Sequence, residues 1–208
     1  MIMVEKQNNK KKASLVMLIT SGLLILTGFL VTGRQDQAVL PVQQNNEVLP
    51  LQIPAVSMPE VVAEPYRVPV TQVGYFFDPS LSDEHISKAI TEFEGVYRPN
   101  QGSDYAFEGK MFEACAMVEG TVQRVEDDPL FGKSVTVLSG DDLSITYQSL
   151  SRVEVQQGQQ VKAHQVLGLA GENIYNKDLG IHLHVAVKKN GNLIDPASAI
   201  GKKPAEIK

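Results

Sequence analysis

The spacing of apolar positions changes three times along this chain. Residues 13–33 are 21 in a row without a charge. At ~1.5 Å of rise per residue they predict one helix of about 30 Å, the thickness of a bilayer core. The run is longer than the ~7–15-residue apolar region of a secretory signal, and no small-x-small cleavage site follows it. No cysteine follows directly, which excludes a lipoprotein anchor. The expectation is a retained transmembrane helix. In residues 34–70 the continuity breaks at Pro41, Pro50, Pro54, Pro59, Pro65 and Pro69, too often for a helix or a central strand. This predicts a flexible Pro/Gln-rich tether that reaches on the order of 100 Å if fully extended at ~3.1 Å per residue.

A helical period follows in the lead-in over residues 71–96. Ser80 or Ser82 caps a predicted helix over 82–94, with Ile86, Ala89, Ile90 and Phe93 on one face. Glu84 and Lys88 form an i,i+4 pair and Gly95 is the stop. From Tyr105 onward the period is two. Strand-like runs at 111–118, 120–126, 133–138, 143–149, 153–155, 165–169 and 181–188 are separated by turn signals such as Ser139-Gly140-Asp141-Asp142 and Asn190-Gly191. Short, closely spaced strands without an intervening helical period predict a mainly β, antiparallel domain over 97–200, with one or two short helices and a C-terminal tail at 201–208.

Candidate chemistry concentrates in Ile181-His182-Leu183-His184-Val185-Ala186-Val187. In a strand, alternate side chains share a face, so His182 and His184 are expected roughly 6–7 Å apart on one face. Leu183, Val185 and Val187 take the other face. Two imidazoles on one face of a buried strand are a metal or acid–base site, or the remains of one. His85 and His164 fall on a predicted polar helix face and a turn, where a solvated histidine is the default.

Charge adds direction. Residues 1–12 carry Lys6, Lys10, Lys11 and Lys12 against Glu5, which is +3 and leaves −8 for the remainder of a chain of net −5. The lysines keep the N-terminus cytoplasmic, so everything after Arg34 lies across the membrane. An acidic body argues against nucleic acid as a partner. Cys115 is the single cysteine, so no intrachain disulfide forms, and its apolar surroundings predict a buried, inert thiol.

The order of the signals resembles the lysostaphin-type (LytM) zinc endopeptidases of peptidoglycan. It is carried by Gly102-Ser103-Asp104, Cys115-Ala116-Met117-Val118-Glu119-Gly120-Thr121-Val122, Tyr147-Gln148-Ser149-Leu150-Ser151, Val155-Gln156-Gln157-Gly158, Gln165-Val166-Leu167-Gly168 and His182-Leu183-His184. The anchor, the tether, the Tyr147-to-Ser151 block and Asn173-Ile174-Tyr175-Asn176-Lys177-Asp178 are similar to the stage II sporulation protein Q family. That resemblance implies an anchored protein of the forespore membrane. Its domain reaches into the intermembrane space, binds a stage III sporulation protein AH-type ectodomain and contributes to a forespore–mother cell channel needed for engulfment, with a ring-forming hetero-oligomer as a possibility.

Carried over residue by residue, the resemblance matches Asp104 and His184 to zinc-ligand positions and His182 to a catalytic position. Asn100 stands four before Asp104, where the first ligand histidine is expected, and Ser149 stands where a second catalytic histidine is expected. Ala186 replaces an acidic residue that often follows the pair. Catalytic zinc takes three protein ligands and an open position, and a neutral amide is a poor substitute for imidazole. Losing one ligand removes several kcal/mol from an apparent binding free energy of about 10–16 kcal/mol. The expectation is therefore a pseudo-enzyme without a cofactor, whose vestigial histidines persist as polar groups bonded to neighbours such as Asp104. A zinc peptidase with an atypical ligand set, recruiting His182, and a regulator of cell-wall hydrolases are the competing readings. The 173–179 loop, through Asn173, Tyr175 and Lys177, is the expected part of the partner contact.

Overall fold

A computed structural model describes residues 61–140 and 142–208. The predicted transmembrane helix at 13–33 and most of the tether lie outside the described residues; among those described, no helix is long and apolar enough to cross a membrane.

The strands are β1 (Thr71–Gly74), β2 (Ile90–Phe93), β3 (Val96–Pro99), β4 (Ser103–Ala106), β5 (Glu113–Cys115), β6 (Gly120–Asp128), β7 (Gly132–Ser139), β8 (Leu143–Val153), β9 (Gln160–Val161), β10 (Val166–Ala170), β11 (Leu183–Lys189) and β12 (Asn192–Ile194). Two short helices accompany them, α1 (Asp83–Ser87) and α2 (Pro196–Ala199). A 10-stranded sheet runs in the order β1-β4-β11-β8-β7-β6-β9; β10 joins β8 and β5, and β12 joins β11. Every pairing is antiparallel. The mainly β, antiparallel reading of the sequence is the observed architecture.

The centre of the sheet follows from the two-residue period. Leu143, Ile145 and Tyr147 of β8, Val135 and Val137 of β7, and Leu183, Val185 and Val187 of β11 are completely buried on one face. The Tyr147 hydroxyl accepts from the Met117 backbone N–H at 2.7 Å, so its polar end is satisfied inside the core. Gln148, His184 and Ala186 alternate to the opposite face, which leaves that face of β8 and β11 to build a site.

Three expectations change. The helix predicted over 82–94 is one turn long. Ser82 does cap it, accepting from His85 N–H, and Lys88 does pair with Glu84 at 3.3 Å. After Lys88 the chain enters the β2–β3 hairpin, turned by Glu94 (φ 53°) and Gly95 (φ 76°). Two successive positive φ values make the tight hairpin turn whose usual signal is Asn-Gly. Thr91, Phe93, Val96 and Tyr97 are β-branched or aromatic, and that preference outweighed a four-residue coincidence with the helical period.

Residues 61–70, read as the end of the tether, are packed on the domain. Val62 is 1% exposed, its N–H donates to Lys202 O at 2.8 Å, and Gly201 N–H returns a bond to Val62 O at 2.8 Å. The tail at 201–208 is therefore stitched to the entry of the domain, and Ile207 is buried. Finally, the strand run at 153–155 ends at Val153, and the run at 111–118 is ladder-paired only over Glu113–Cys115.

Candidate functional site

The site is built where β4, β8 and β11 lie side by side. The β11 register sets His184 opposite Asp104 of β4 on one side and opposite Gln148 of β8 on the other. The His184 ring Nδ1 donates to Asp104 Oδ1 at 2.8 Å, and Asn100 Nδ2 donates to Asp104 Oδ2 at 2.7 Å. Both carboxylate oxygens are thus engaged, on a side chain 1% exposed. Two glycines allow this crowding. A Cβ on Gly74 would lie 2.2 Å from Asp104 Oδ2, and one on Gly102 would lie 2.2 Å from Val185 O and 2.8 Å from His184 Nε2.

Asn100, Asp104 and His184 therefore come together as the sequence reading placed them. The orientation of Asn100 decides their chemistry. Its Oδ1 accepts from Gly102 N–H at 3.3 Å, so the amide turns its NH₂ to the carboxylate. It offers donors where a metal ligand needs a lone pair.

His182 sits just before β11, in an isolated bridge with Gly171. Its Nδ1–H donates to Gly180 O at 2.7 Å, which leaves Nε2 as the acceptor for the Ser149 hydroxyl at 2.9 Å. Asn173 Nδ2 donates to Ser149 Oγ at 2.6 Å, and Asn173 Oδ1 accepts from Asn176 N–H at 2.6 Å. Both ring nitrogens of His182 are committed, and Ser149 and His182 are fully buried. Recruitment of His182 as a third ligand would break this closed set of bonds. The donors present do not fit a three-ligand zinc site: Asp104 and His184 are two candidate ligands, and the third position is an amide that turns its NH₂ inward.

The sequence reading paired the histidines with Asp104. The structure gives Asp104 to His184 and Ser149 to His182. Of the loop residues expected to meet a partner, Asn173 is turned inward, Tyr175 packs against Phe131 with the rings tilted and their centroids 4.8 Å apart, and Lys177 is exposed. Phe131 was not foreseen as a site residue. It follows an exposed turn signal, and nothing local shows that the β6–β7 turn folds over the groove. A groove of about 430 Å³ lies here, lined by Asn100, Gln148, His184, Asn173, Phe131 and Tyr175 among others.

Burial pulls Asp104 up, but the His184 imidazole, by charge and hydrogen bond, outweighs it with help from His182 and the Asn100 amide, so the carboxyl sits below its ordinary 3.8. Burial pushes the His182 imidazole below 6.5, against the opposing pull of the Gly180 carbonyl and Asp104. Both groups bind more protons in the unfolded chain than in the folded one, so stability rises with pH wherever they titrate. The His182 contribution is complete above 6.5 and is lost as pH falls below it; the Asp104 contribution is lost only as pH falls below 3.8. The expected result is a melting temperature that drops between pH 7.5 and pH 5 by thermal scans, with a flatter profile in His182→Gln.

The model of peptidase family M23 matches residues 98–196. Stage II sporulation protein Q of Bacillus subtilis (strain 168) is 37% identical over 153 residues, which is 73% of this chain and 53% of that protein, so the chain spans about half of that relative's length. A chain of the solved SpoIIQ–SpoIIIAH pore-forming complex is 36% identical with a TM-score of 0.68, covering 70% of this chain and 94% of that one. A second structure of a SpoIIIAH and SpoIIQ complex gives 37% identity and a TM-score of 0.60, over 68% of this chain and 97% of that one. With more than a third of its residues identical over nearly the whole of both solved chains, this chain belongs to the stage II sporulation protein Q family, and its domain is of the peptidase family M23 type.

Proposed function

We propose that this chain is a non-catalytic member of its family. It is anchored by residues 13–33 with the N-terminus in the cytoplasm, and it holds its folded domain in the intermembrane space of a developing endospore. There it binds a stage III sporulation AH-type ectodomain from the opposite membrane. Together they build a channel between forespore and mother cell that engulfment and forespore development require. The observation that carries this reading is the 36% identity to the chain solved in the SpoIIQ–SpoIIIAH pore-forming complex. Support for the non-catalytic part comes from the chemistry of Asn100, which presents its NH₂ to Asp104, and of Ser149, which has no imidazole to move a proton or steady an oxyanion.

The partner surface is best sought beside the groove. Beyond Val122, β6 has β7 on one edge and, among the described residues, no ladder partner on the other, and Gln123 to Asp128 are all exposed. An unpaired edge of this kind accepts a strand from another protein. Next to it, Ile174 N–H donates to Leu130 O at 3.0 Å, which brings together two apolar side chains, Ile174 at 56% and Leu130 at 38% exposure. Lys177 lies on the same loop. Binding of a purified AH-type ectodomain to the full-length chain in detergent micelles, followed by isothermal titration, tests the reading. A saturable complex is expected, weakened roughly tenfold or more in Ile174→Asp/Lys177→Glu, because an interface of this kind concentrates its energy in a few apolar anchors. No binding by the unaltered protein overturns the proposal.

A further inference from the structure

The β2–β3 hairpin is attached to the domain in an unusual way. Its register pairs Ile90 with Pro99, Thr91 with Arg98, Glu92 with Tyr97 and Phe93 with Val96. Opposed residues share a face, so Thr91, Phe93, Val96 and Arg98 form one side of the ribbon and Ile90, Glu92, Tyr97 and Pro99 the other. Thr91 and Arg98 line the groove over Asn100, Gln148 and His184, and Thr91 and Phe93 of the same side line the adjoining cavity that reaches Asp104, where Ile90 and Glu92 of β2 also border it. The other side carries Tyr97 at 73% exposure. The hairpin therefore stands over the site as a cover, with its inner side toward Asp104 and His184.

Backbone bonds hold only its base. Asn100 N–H donates to Ala89 O at 2.9 Å, Phe77 N–H to Asn100 O at 3.0 Å, and Tyr75 N–H to Lys88 O at 3.1 Å. Among the described residues, no hydrogen bond or ion pair joins residues 91–99 to anything outside the hairpin. A two-stranded ribbon is marginally stable by itself in water, so it needs packing to stay in place. That packing includes Phe93 against Tyr175, with ring centroids 5.3 Å apart. Tyr175 in turn packs in a tilted ring contact against Phe131, and its N–H donates to Leu130 O at 3.0 Å. One tyrosine thus connects the hairpin, the 173–179 loop and the β6–β7 turn. Phe131 is itself fixed: its N–H and that of Leu130 donate to the Asp128 carboxylate at 3.0 and 2.8 Å, and its carbonyl accepts from Ser149 N–H at 3.1 Å.

We propose that the β2–β3 hairpin is a hinged flap over the groove, that its hinges are the chain on either side of the Ala89–Asn100 bond, and that Tyr175 is its latch. The fixed side of the latch is Phe131 and the moving side is Phe93. With the latch released, the ribbon swings on its base and opens the groove floor of Asn100, Gln148 and His184. Tyr175 is a positioning residue: its ring holds the flap and the loop in register. The inference does not depend on the identity of the partner or on the loss of catalysis.

Hydrogen exchange read by mass spectrometry on the full-length chain in detergent micelles tests it, with partner absent. In Tyr175→Ala, amides of residues 91–99 are expected to exchange at least tenfold faster, while those of β7, β8 and β11 keep the rates of the parent protein. Tyr175→Phe, which preserves both tilted ring contacts, is expected to restore slow exchange in 91–99. Phe93→Ala is expected to reproduce the effect, and the double variant Phe93→Ala/Tyr175→Ala to add little to either single one, because each change removes the same contact. Unchanged exchange in 91–99 in Tyr175→Ala, or exchange in the parent protein already as fast as in the variant, overturns the latch. So does equal acceleration across the central strands, which would mark Tyr175 as a general packing residue.

Discussion

Asn100→His is expected to raise zinc affinity by roughly two to three orders of magnitude, because it supplies the third ligand that a tetrahedral protein site requires. The other two are already in place. Asp104 and His184 meet at 2.8 Å across paired strands, and the position of Asn100 is fixed 2.7 Å from the second oxygen of the same carboxylate. Replacing the amide exchanges two N–H donors for a ring nitrogen with a lone pair. The cost is the bond that Asn100 Oδ1 accepts from Gly102 N–H, which is long at 3.3 Å. Zinc content after dialysis and competition against a chromophoric chelator measure the change. Affinity equal to that of the parent protein would mean that Asn100 is not in the ligand position. Peptidase activity is not expected to follow from this change alone. On the proposed reading Ser149 stands in for a catalytic histidine, and its hydroxyl is held between His182 and Asn173.

Gly102→Ala is expected to destabilise the domain by about 3 kcal/mol, the upper end for overpacking a filled interior. For a chain of this size that lowers Tm by about 10 °C. The obstacle is backbone: the new methyl group would meet the Val185 carbonyl at 2.2 Å, and β11 cannot yield there without leaving β4 and β8. The same methyl group would press on His184 Nε2 at 2.8 Å, so the His184–Asp104 bond is lost with the stability. Gly140→Ala is the control, because nothing lies within 4 Å of a Cβ there, and a change within about 0.5 kcal/mol is expected. Urea unfolding of the two variants separates them. Equal loss in both would show that the close approach of β4 and β11 is not the cause.

Asn100 and Ser149, the two positions behind the proposed loss of catalysis, stand out in the sequence for different reasons. Asn100 could be found because its distance from Asp104 is a short local spacing, which survives into the fold as a hydrogen bond between residues four apart. Ser149 could be found because its neighbours Tyr147 and Leu150 mark the strand. Its partner could not. Ser149 and His182 are 33 residues apart, and nothing in either segment says that the hydroxyl takes the ring nitrogen while the Gly180 carbonyl takes the other. The hairpin over the groove was hidden by a spacing coincidence. Ile86, Ala89, Ile90 and Phe93 satisfy a helical face, yet only Ile86 lies in the helix. Local propensity at Glu94-Gly95 favoured a turn, and the aromatic contact of Phe93 with Tyr175 rewarded the extended form.

By itself the sequence determined the two-residue period of the central strands, the buried face of Leu183, Val185 and Val187, and the turn at Asn190-Gly191. These depend on alternation and on glycine's tolerance of positive φ, which act within a few residues. It also carried the side-chain chemistry on which the proposed loss of a ligand rests, since the identity of Asn100 fixes what an amide offers a metal. Only the tertiary structure decided which carboxylate met which imidazole, that the entry segment at Val62 was stitched to Lys202, and that a ribbon covered the groove with Tyr175 against it. Those outcomes depend on strand register and on contacts between residues far apart in the chain, such as Asp104 with His184 and Val62 with Lys202, where each pairing is selected by the packing of the whole sheet.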